Sequence, residues 1–291
     1  MAAFTDIHCH GGGGHAFGDS VAGTRAAFAA HRAHGTSQVV ASLVSMSLAD
    51  LERAMDVIRA ARTYEPGILG VHLEGPFLAP ERKGAHDPAA LAIPTQAVVA
   101  DVLDIVGDDL RQITIAPELP GAMEAIRTFS RAGAVVAVGH TTADAATTTT
   151  AFEAGASLIT HGLNAMAGMA AREIGPVGAA IADPFAHIEL IADGIHVNPT
   201  LIRTVFAAAP GRVVLVTDAM AAAASTPGAY RLGSLDVEVK DDGRAVLAGT
   251  DTLAGSTLTM DRAVEVCVAA GVPRDQAEAA ASTVPARLIR R

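Results

Sequence analysis

Positive charge is in short supply. Lysine and arginine together number 21 against 31 aspartates and glutamates, which leaves a formal charge of −10. That balance repels polyanions, so a nucleic-acid or anionic-membrane partner is excluded. A small phosphorylated ligand is not, because it needs only a local cationic pocket. Cysteine is equally scarce: Cys9 and Cys267 stand in unrelated contexts, which rules out a disulfide framework and fits a reducing cytoplasm. No apolar run reaches the ~18 residues of a membrane helix, and no basic-plus-apolar leader is visible. A soluble cytoplasmic protein is expected. Lysine occurs only as Lys83 and Lys240. Neither ends an apolar segment, so lysine has no part in chemistry placed at strand ends.

Half of the 291 residues are hydrophobic. That suits one large domain, and an α/β barrel of roughly 250 residues would use most of the chain. The stretch Gly70-Val71-His72-Leu73-Glu74-Gly75-Pro76-Phe77 sets the pattern. An apolar strand ends in a carboxylate, and Gly75-Pro76 stops the sheet directly behind it. Glu74 therefore sits at a strand's mouth, where its burial is costly unless a positive charge offsets it.

Seven other apolar strands are expected, at 3–8, 38–43, 112–115, 134–138, 157–160, 187–191 and 212–216. Helical spacing recurs at 19–34, 48–62, 96–106, 121–132, 143–154, 175–182 and 199–208, and again at 257–270 and 274–289. Strands that read as continuous apolar runs are covered on both faces. Eight of them, most followed by a helix, predict a closed (β/α)8 TIM-like barrel rather than an open doubly wound sheet. Period-two alternation at 235–240, the turn Asp241-Asp242-Gly243 and a return at 245–247 predict a β-hairpin insertion over about 230–249. With no internal repeat or linker, residues 1–291 read as a single catalytic barrel.

The chemistry is one-sided. His8, His10, Glu74, His140, His161, His196 and Asp218 all follow C-terminal strand ends, the face that carries the active site in such barrels. Imidazoles mixed with carboxylates suit zinc or another borderline divalent ion. His8 and His10, two residues apart, share one face of a strand, and Cys9 points away as buried filler. Any one of these histidines alone reads as a satisfied, partly buried side chain; six strand ends converging by accident does not.

These segments resemble the amidohydrolase superfamily and, within it, the N-acetylglucosamine-6-phosphate deacetylases. The matching stretches include Asp6-Ile7-His8-Cys9-His10-Gly11, His72-Leu73-Glu74-Gly75-Pro76-Phe77, Lys83-Gly84-Ala85-His86 and Gly139-His140-Thr141. Further along come Thr160-His161, Asn164-Ala165-Met166, Arg172-Glu173, Ala192-Asp193-Gly194-Ile195-His196, Val216-Thr217-Asp218-Ala219 and Leu253-Ala254-Gly255-Ser256. Asp-x-His-x-His is superfamily-wide; His-Leu-Glu-Gly-Pro and Asn-Ala-Met after a histidine are far more specific.

The resemblance implies hydrolysis of the N-acetyl group of N-acetylglucosamine 6-phosphate, in amino-sugar catabolism and cell-wall recycling. It implies that Glu74, His140 and His161 hold a divalent metal, zinc before iron or another ion, and that His8 and His10 add a second site. Asp218 becomes the general acid/base. His86, Asn164, Ala165, Arg172 and His196 line the sugar-phosphate pocket, with Arg172 reaching the neighbouring subunit's site in a homodimer. Read from its chemistry alone, Arg172 is equally a surface arginine paired with Glu173 or a neighbouring acid.

Other amidohydrolases bridge two metals with a carbamylated lysine on strand four. Here that strand, Gln112-Ile113-Thr114-Ile115, has none, so the bridge must be a side-chain acid, and Glu74 supplies it. The chain departs from the family in lacking segments for most or all of its small β-sandwich. Two alternatives stay open: a metal amidohydrolase for another N-acyl sugar or amino compound, and a sugar-phosphate-binding barrel without catalysis.

Overall fold

The computed structural model describes residues 3–290. Eight parallel strands form its centre: β1 (Phe4–Cys9), β2 (Thr36–Val44), β3 (Ile68–Glu74), β4 (Leu110–Ile115), β5 (Val135–Val138), β6 (Leu158–Ile159), β7 (His187–Ile191) and β8 (Val213–Val216). Each pairs with the next in chain order. The sheet closes at the mouth, where Asp218 N–H donates to the His8 carbonyl at 2.8 Å and the N–H groups of His10 and Gly11 donate to the Ala219 carbonyl at 2.7 and 3.0 Å. The result is a nearly closed (β/α)8 barrel of the TIM type, without a β-sandwich among the described residues.

Helices cover the outside: α1 (Val21–Ala33), α2 (Leu48–Arg62), α3 (Gln96–Val106), α4 (Ala122–Arg131), α5 (Ala145–Ala154), α6 (Gly175–Ala182), α7 (Pro199–Ala208), α8 (Met260–Ala269), α9 (Arg274–Ala280) and α10 (Thr283–Leu288). Ser20, Ser47, Thr95, Asp144 and Asn198 cap their helices by accepting from first-turn N–H groups, which satisfies donors a helix start leaves orphaned. Between strands and helices lie Phe28, Met55, Ile58, Phe77, Ile126 and Phe129, all buried.

Two expectations need correction. The single helix expected at 274–289 is split into α9 and α10. Pro285 has no N–H to give the carbonyl four residues back, and that carbonyl, on Ala281, instead accepts from Thr5 N–H at 2.9 Å. The break thus ties the chain's last helices to β1. The two-stranded hairpin is in fact three-stranded: β9 (Ala229–Leu232), β10 (Leu235–Val239) and β11 (Ala245–Leu247). Gly233, at φ +56°, reverses the chain one strand earlier than the alternation reveals, because β9 buries only Leu232. Leu232, Val237, Val239 and Ala245 pack with Val44, Ala85, Met220, Ala222 and Ala254 in a second apolar cluster. This small sheet lies over the barrel mouth and lends Leu232 to the site cavity.

Candidate active site

Strand ends deliver the site's side chains, and the backbone turns sharply to do so. His140 (φ +47°), His161 (φ +29°) and Asp218 (φ +48°) all adopt left-handed conformations, as do Leu163 and Ala165. Non-glycine residues in that region cost of order 1–3 kcal/mol each and persist where the surroundings enforce them. Three of the five are candidate ligands or proton carriers. Gly75, at φ +95°, lets β3 end beside Ser45, and a side chain there would collide with the serine hydroxyl.

Glu74 is the hub, and it is 4% exposed. Its Oε1 lies 3.1 Å from His140 Nε2, 3.0 Å from His161 Nε2 and 3.5 Å from His8 Nε2. Its Oε2 lies 3.2 Å from His10 Nε2 and 3.3 Å from His86 Nε2. Asp218 Oδ1 faces His8 and His10 at 3.3 and 3.2 Å. Two buried donor groups share Glu74: His8, His10, Glu74 and Asp218 form one, and Glu74, His140 and His161 the other.

The protons on these rings can be placed from their outer partners. His140 Nδ1 faces the Arg82 carbonyl at 2.7 Å and His8 Nδ1 faces Glu189 Oε2 at 3.0 Å. Both partners only accept, so both Nδ1 atoms carry hydrogen. A neutral ring then aims its Nε2 lone pair at the carboxylates of Glu74 and Asp218. The Nε2 atoms also approach one another, at 3.2 Å for His8 and His10 and 3.0 Å for His140 and His161. Lone pairs set against lone pairs and carboxylates at such distances call for cations between them. Donors about 2.0–2.1 Å from a tetrahedral zinc lie roughly 3.3 Å apart, so the arrangement fits divalent ions. Among the described residues the donor set is imidazole and carboxylate only, as borderline ions prefer.

The same demand for positive charge appears in the pKa values. When protons stand on these Nε2 atoms in place of an ion, burial alone would raise Glu74, but the charge on His8 and hydrogen bonds from His10, His140 and His161 hold it well below the usual carboxylate range. Burial would also lower His10, yet Asp218 and Glu74 push it up to about 9. His86 is drawn down to about 4, chiefly by burial, and stays neutral beside Glu74 with its Nδ1 3.0 Å from Ser45 Oγ.

His196 lies on the loop after β7. Its Nδ1 bonds Asp193 Oδ2 at 2.6 Å, and Asp193 also accepts from the backbone of Ile195 and His196 at 2.8 Å each. Burial pulls the imidazole's pKa down, but Asp193 and Asp218 outweigh it and raise the value. Removing the Asp193 charge destabilises the imidazolium and nothing else in that ring. Asp193→Asn is therefore expected to lower the His196 pKa to the ordinary histidine value or below, read by NMR titration of the ring. An unchanged pKa would mean another group holds the proton.

A cavity of about 350 Å³ opens above these groups, lined by His10, Glu74, His86, His140, His161, Asn164, Ala165, His196 and Asp218 among others. That volume suits a small ligand. Asn164 Nδ2 donates to the carbonyls of His161 and Gly162 at 3.2 and 3.3 Å, which fixes the loop after β6. Of the residues expected around the sugar phosphate, Arg172 alone is exposed on that loop and does not line its own chain's cavity. Nor does Glu173 pair with it; Glu173 Oε1 accepts from the N–H groups of Ala145 and Gly175 at 3.0 and 2.9 Å. A larger cleft of about 950 Å³ runs alongside, walled by Phe17, Met46, Leu48, Val57 and Leu91. It holds neither Glu74, Asp218 nor any of the imidazoles, and so none of the chemistry.

Several residues that shape the site escaped the sequence reading. Glu189 is fully buried below the cluster. His72 Nδ1 and Nε2 bond Ser42 Oγ at 2.9 Å and Thr114 Oγ1 at 2.8 Å, and Thr114 bonds Thr160 at 2.8 Å, forming a polar layer beneath. Their signal was a polar residue interrupting an apolar run, the glutamate in His187-Ile188-Glu189-Leu190-Ile191 above all.

No family model matches the chain. Known proteins do. It is 38% identical over 300 residues to an N-acetylglucosamine-6-phosphate deacetylase from Bos taurus, covering 98% of this chain and 73% of that one. It is 36% identical over 292 residues to an N-acetylgalactosamine-6-phosphate deacetylase from Escherichia coli O157:H7, covering 99% and 77%. Among solved structures, an alanine mutant of the Mycobacterium smegmatis N-acetyl-D-glucosamine-6-phosphate deacetylase, in complex with N-acetyl-D-glucosamine-6-phosphate, superposes with a TM-score of 0.92 at 42% identity, covering 99% of this chain and 77% of that one.

Proposed function

The chain belongs to the N-acetylglucosamine-6-phosphate deacetylases, and from that membership we propose how its site removes the acetyl group of N-acetylglucosamine 6-phosphate. The reaction is amide hydrolysis: a water oxygen bonds to the acetyl carbon, the C–N bond breaks, and acetate and glucosamine 6-phosphate leave. The observation that carries the reading is the pair of donor groups sharing Glu74 at the floor of a cavity of about 350 Å³.

We assign zinc, as one ion or two, to Glu74, His140 and His161 and to His8, His10, Glu74 and Asp218; iron or another divalent ion fits the same donors. A divalent ion held there supplies Lewis acidity, polarising the acetyl oxygen and making water acidic near neutral pH. The chain's own groups do the rest. Asp218 takes the proton from the attacking water and delivers it to the departing nitrogen. His196, kept protonated by Asp193, donates to the developing oxyanion. His86, Asn164 and Ala165 border the sugar, and the small sheet that contributes Leu232 narrows access for water. A single catalytic barrel spanning the chain is part of the same proposal.

The 6-phosphate needs a cation, and Arg172 is assigned that role. Its planar fork suits phosphate. Because it lies outside its own cavity, it serves the neighbouring site of a homodimer. A charge-assisted bond of this kind is worth roughly 1.5–3 kcal/mol. Arg172→Ala is therefore expected to lower kcat/KM about 10- to 100-fold on the phosphorylated substrate and to leave unphosphorylated N-acetylglucosamine nearly unchanged. Equal losses on both would make Arg172 structural. Mixing this mutant with Asp218→Asn should restore activity in hybrid dimers, which regain one complete site.

The test of the whole reading is a substrate panel: N-acetylglucosamine and N-acetylgalactosamine, each with and without the 6-phosphate, and longer N-acyl analogues. The expected order places N-acetylglucosamine 6-phosphate first. The galactosamine epimer is included because a relative acting on it is 36% identical; preference for it would transfer the function to that sugar. No described helix is long and apolar enough to cross a membrane. The unbridged Cys9 and Cys267 support a cytoplasmic setting.

A further inference from the structure

Glu189 lies mid-strand in β7, fully buried. A bare carboxylate there is costly, and three donors meet it. Gln112 Nε2 reaches Oε1 at 2.7 Å; His8 Nδ1 and His161 N–H each reach Oε2 at 3.0 Å. Among the described residues no lysine or arginine pairs with it.

The four imidazoles assigned to metal differ in what stands behind them. His140 gives its Nδ1–H to a backbone carbonyl. Nδ1 of His10 and of His161 has no hydrogen-bond partner among the described residues. Of these four, only His8 is backed by a carboxylate. A carboxylate in that position fixes the ring's tautomer, aims its free nitrogen and strengthens it as a donor. His8 belongs to one donor group and His140 with His161 to the other, so the effect falls on one side of the shared Glu74.

We propose that Glu189 is a positioning residue for the ion held by His8, His10, Glu74 and Asp218, and thereby decides whether the centre carries one ion or two. The inference rests on the metal reading above. It assigns no contact between Glu189 and substrate.

The test is equilibrium titration of the metal-stripped chain with Zn²⁺, and with Co²⁺ followed by its visible absorption, with metal content measured on the same samples. The unaltered chain is expected to take up two ions. Glu189→Gln, which keeps the volume but loses the charge, should hold one ion with unchanged affinity and the other about 10- to 100-fold more weakly. In a His8→Gln background, which already lacks that ion, adding Glu189→Gln should leave the remaining ion's affinity where it was. A purely structural role would weaken both ions in the otherwise unaltered chain and the remaining ion in the His8→Gln background, because Glu189 also braces His161 and Gln112, and that result overturns the proposal. So does a Glu189→Gln chain that binds both ions normally. If Glu189→Gln does not fold, Glu189→Asp retains the charge but withdraws it by one methylene, and a selective weakening of the same ion is expected; parity with the unaltered chain contradicts it. An unaltered chain that takes up no ion defeats the metal reading itself, and this inference with it.

Discussion

Asp218→Asn is expected to lower kcat on N-acetylglucosamine 6-phosphate by ~10²- to 10⁴-fold while KM changes little. Asparagine keeps the shape of the side chain and leaves an oxygen facing His8 and His10, but it cannot accept a proton. It also tolerates the left-handed backbone at this position (φ +48°) better than most residues, so the fold should survive. Burial would raise the Asp218 pKa, yet the charge on His8 and the bond from His10 hold it below the ordinary carboxylate value. The group is therefore ionised at neutral pH and available as a base. Steady-state kinetics with an independent binding measurement separates the two effects. Normal turnover in the mutant would move the proton-transfer role elsewhere, first to His196.

Glu74→Gln should do broader damage. Glu74 meets five imidazoles at 3.0–3.5 Å and is the one residue common to both donor groups. A neutral amide supplies a weaker oxygen to each side and places an NH₂ against rings whose lone pairs point inward. Loss of an outer partner costs roughly 10- to 100-fold in metal affinity, and loss of a shared carboxylate should exceed that for both ions. Metal content and activity should fall together, measured on one preparation. Full occupancy with normal turnover would remove Glu74 from the centre.

The strand-end residues were legible because chemistry at a barrel mouth sits where the chain breaks. Glu74 is followed by Gly75-Pro76, His140 by the turn after β5, and Asp218 by the closure onto β1. Each is flagged by an apolar run that stops at a titratable side chain. Glu189, Gln112 and His72 were only half legible: each interrupts an apolar run, but strands covered on both faces carry no alternation to say which residues point into the barrel. The tight approach of four imidazoles to two carboxylates follows from strand register and left-handed turns, neither of which a linear spacing reveals. β9 was missed because it buries only Leu232, whereas the break between α9 and α10 is signalled by Pro285. The resemblance implies that Arg172 reaches the neighbouring subunit's phosphate; in its own chain Arg172 lies outside the cavity.

The central claim is that imidazoles and carboxylates at the barrel mouth hold the metal that makes this chain a deacetylase. Acetate release from N-acetylglucosamine 6-phosphate, followed with metal content on the same protein before chelation, after it and after Zn²⁺ is returned, tests it most directly. Activity should disappear with the ions and return in proportion to those rebound. Undiminished acetate release from protein shown to be metal-free would contradict the account.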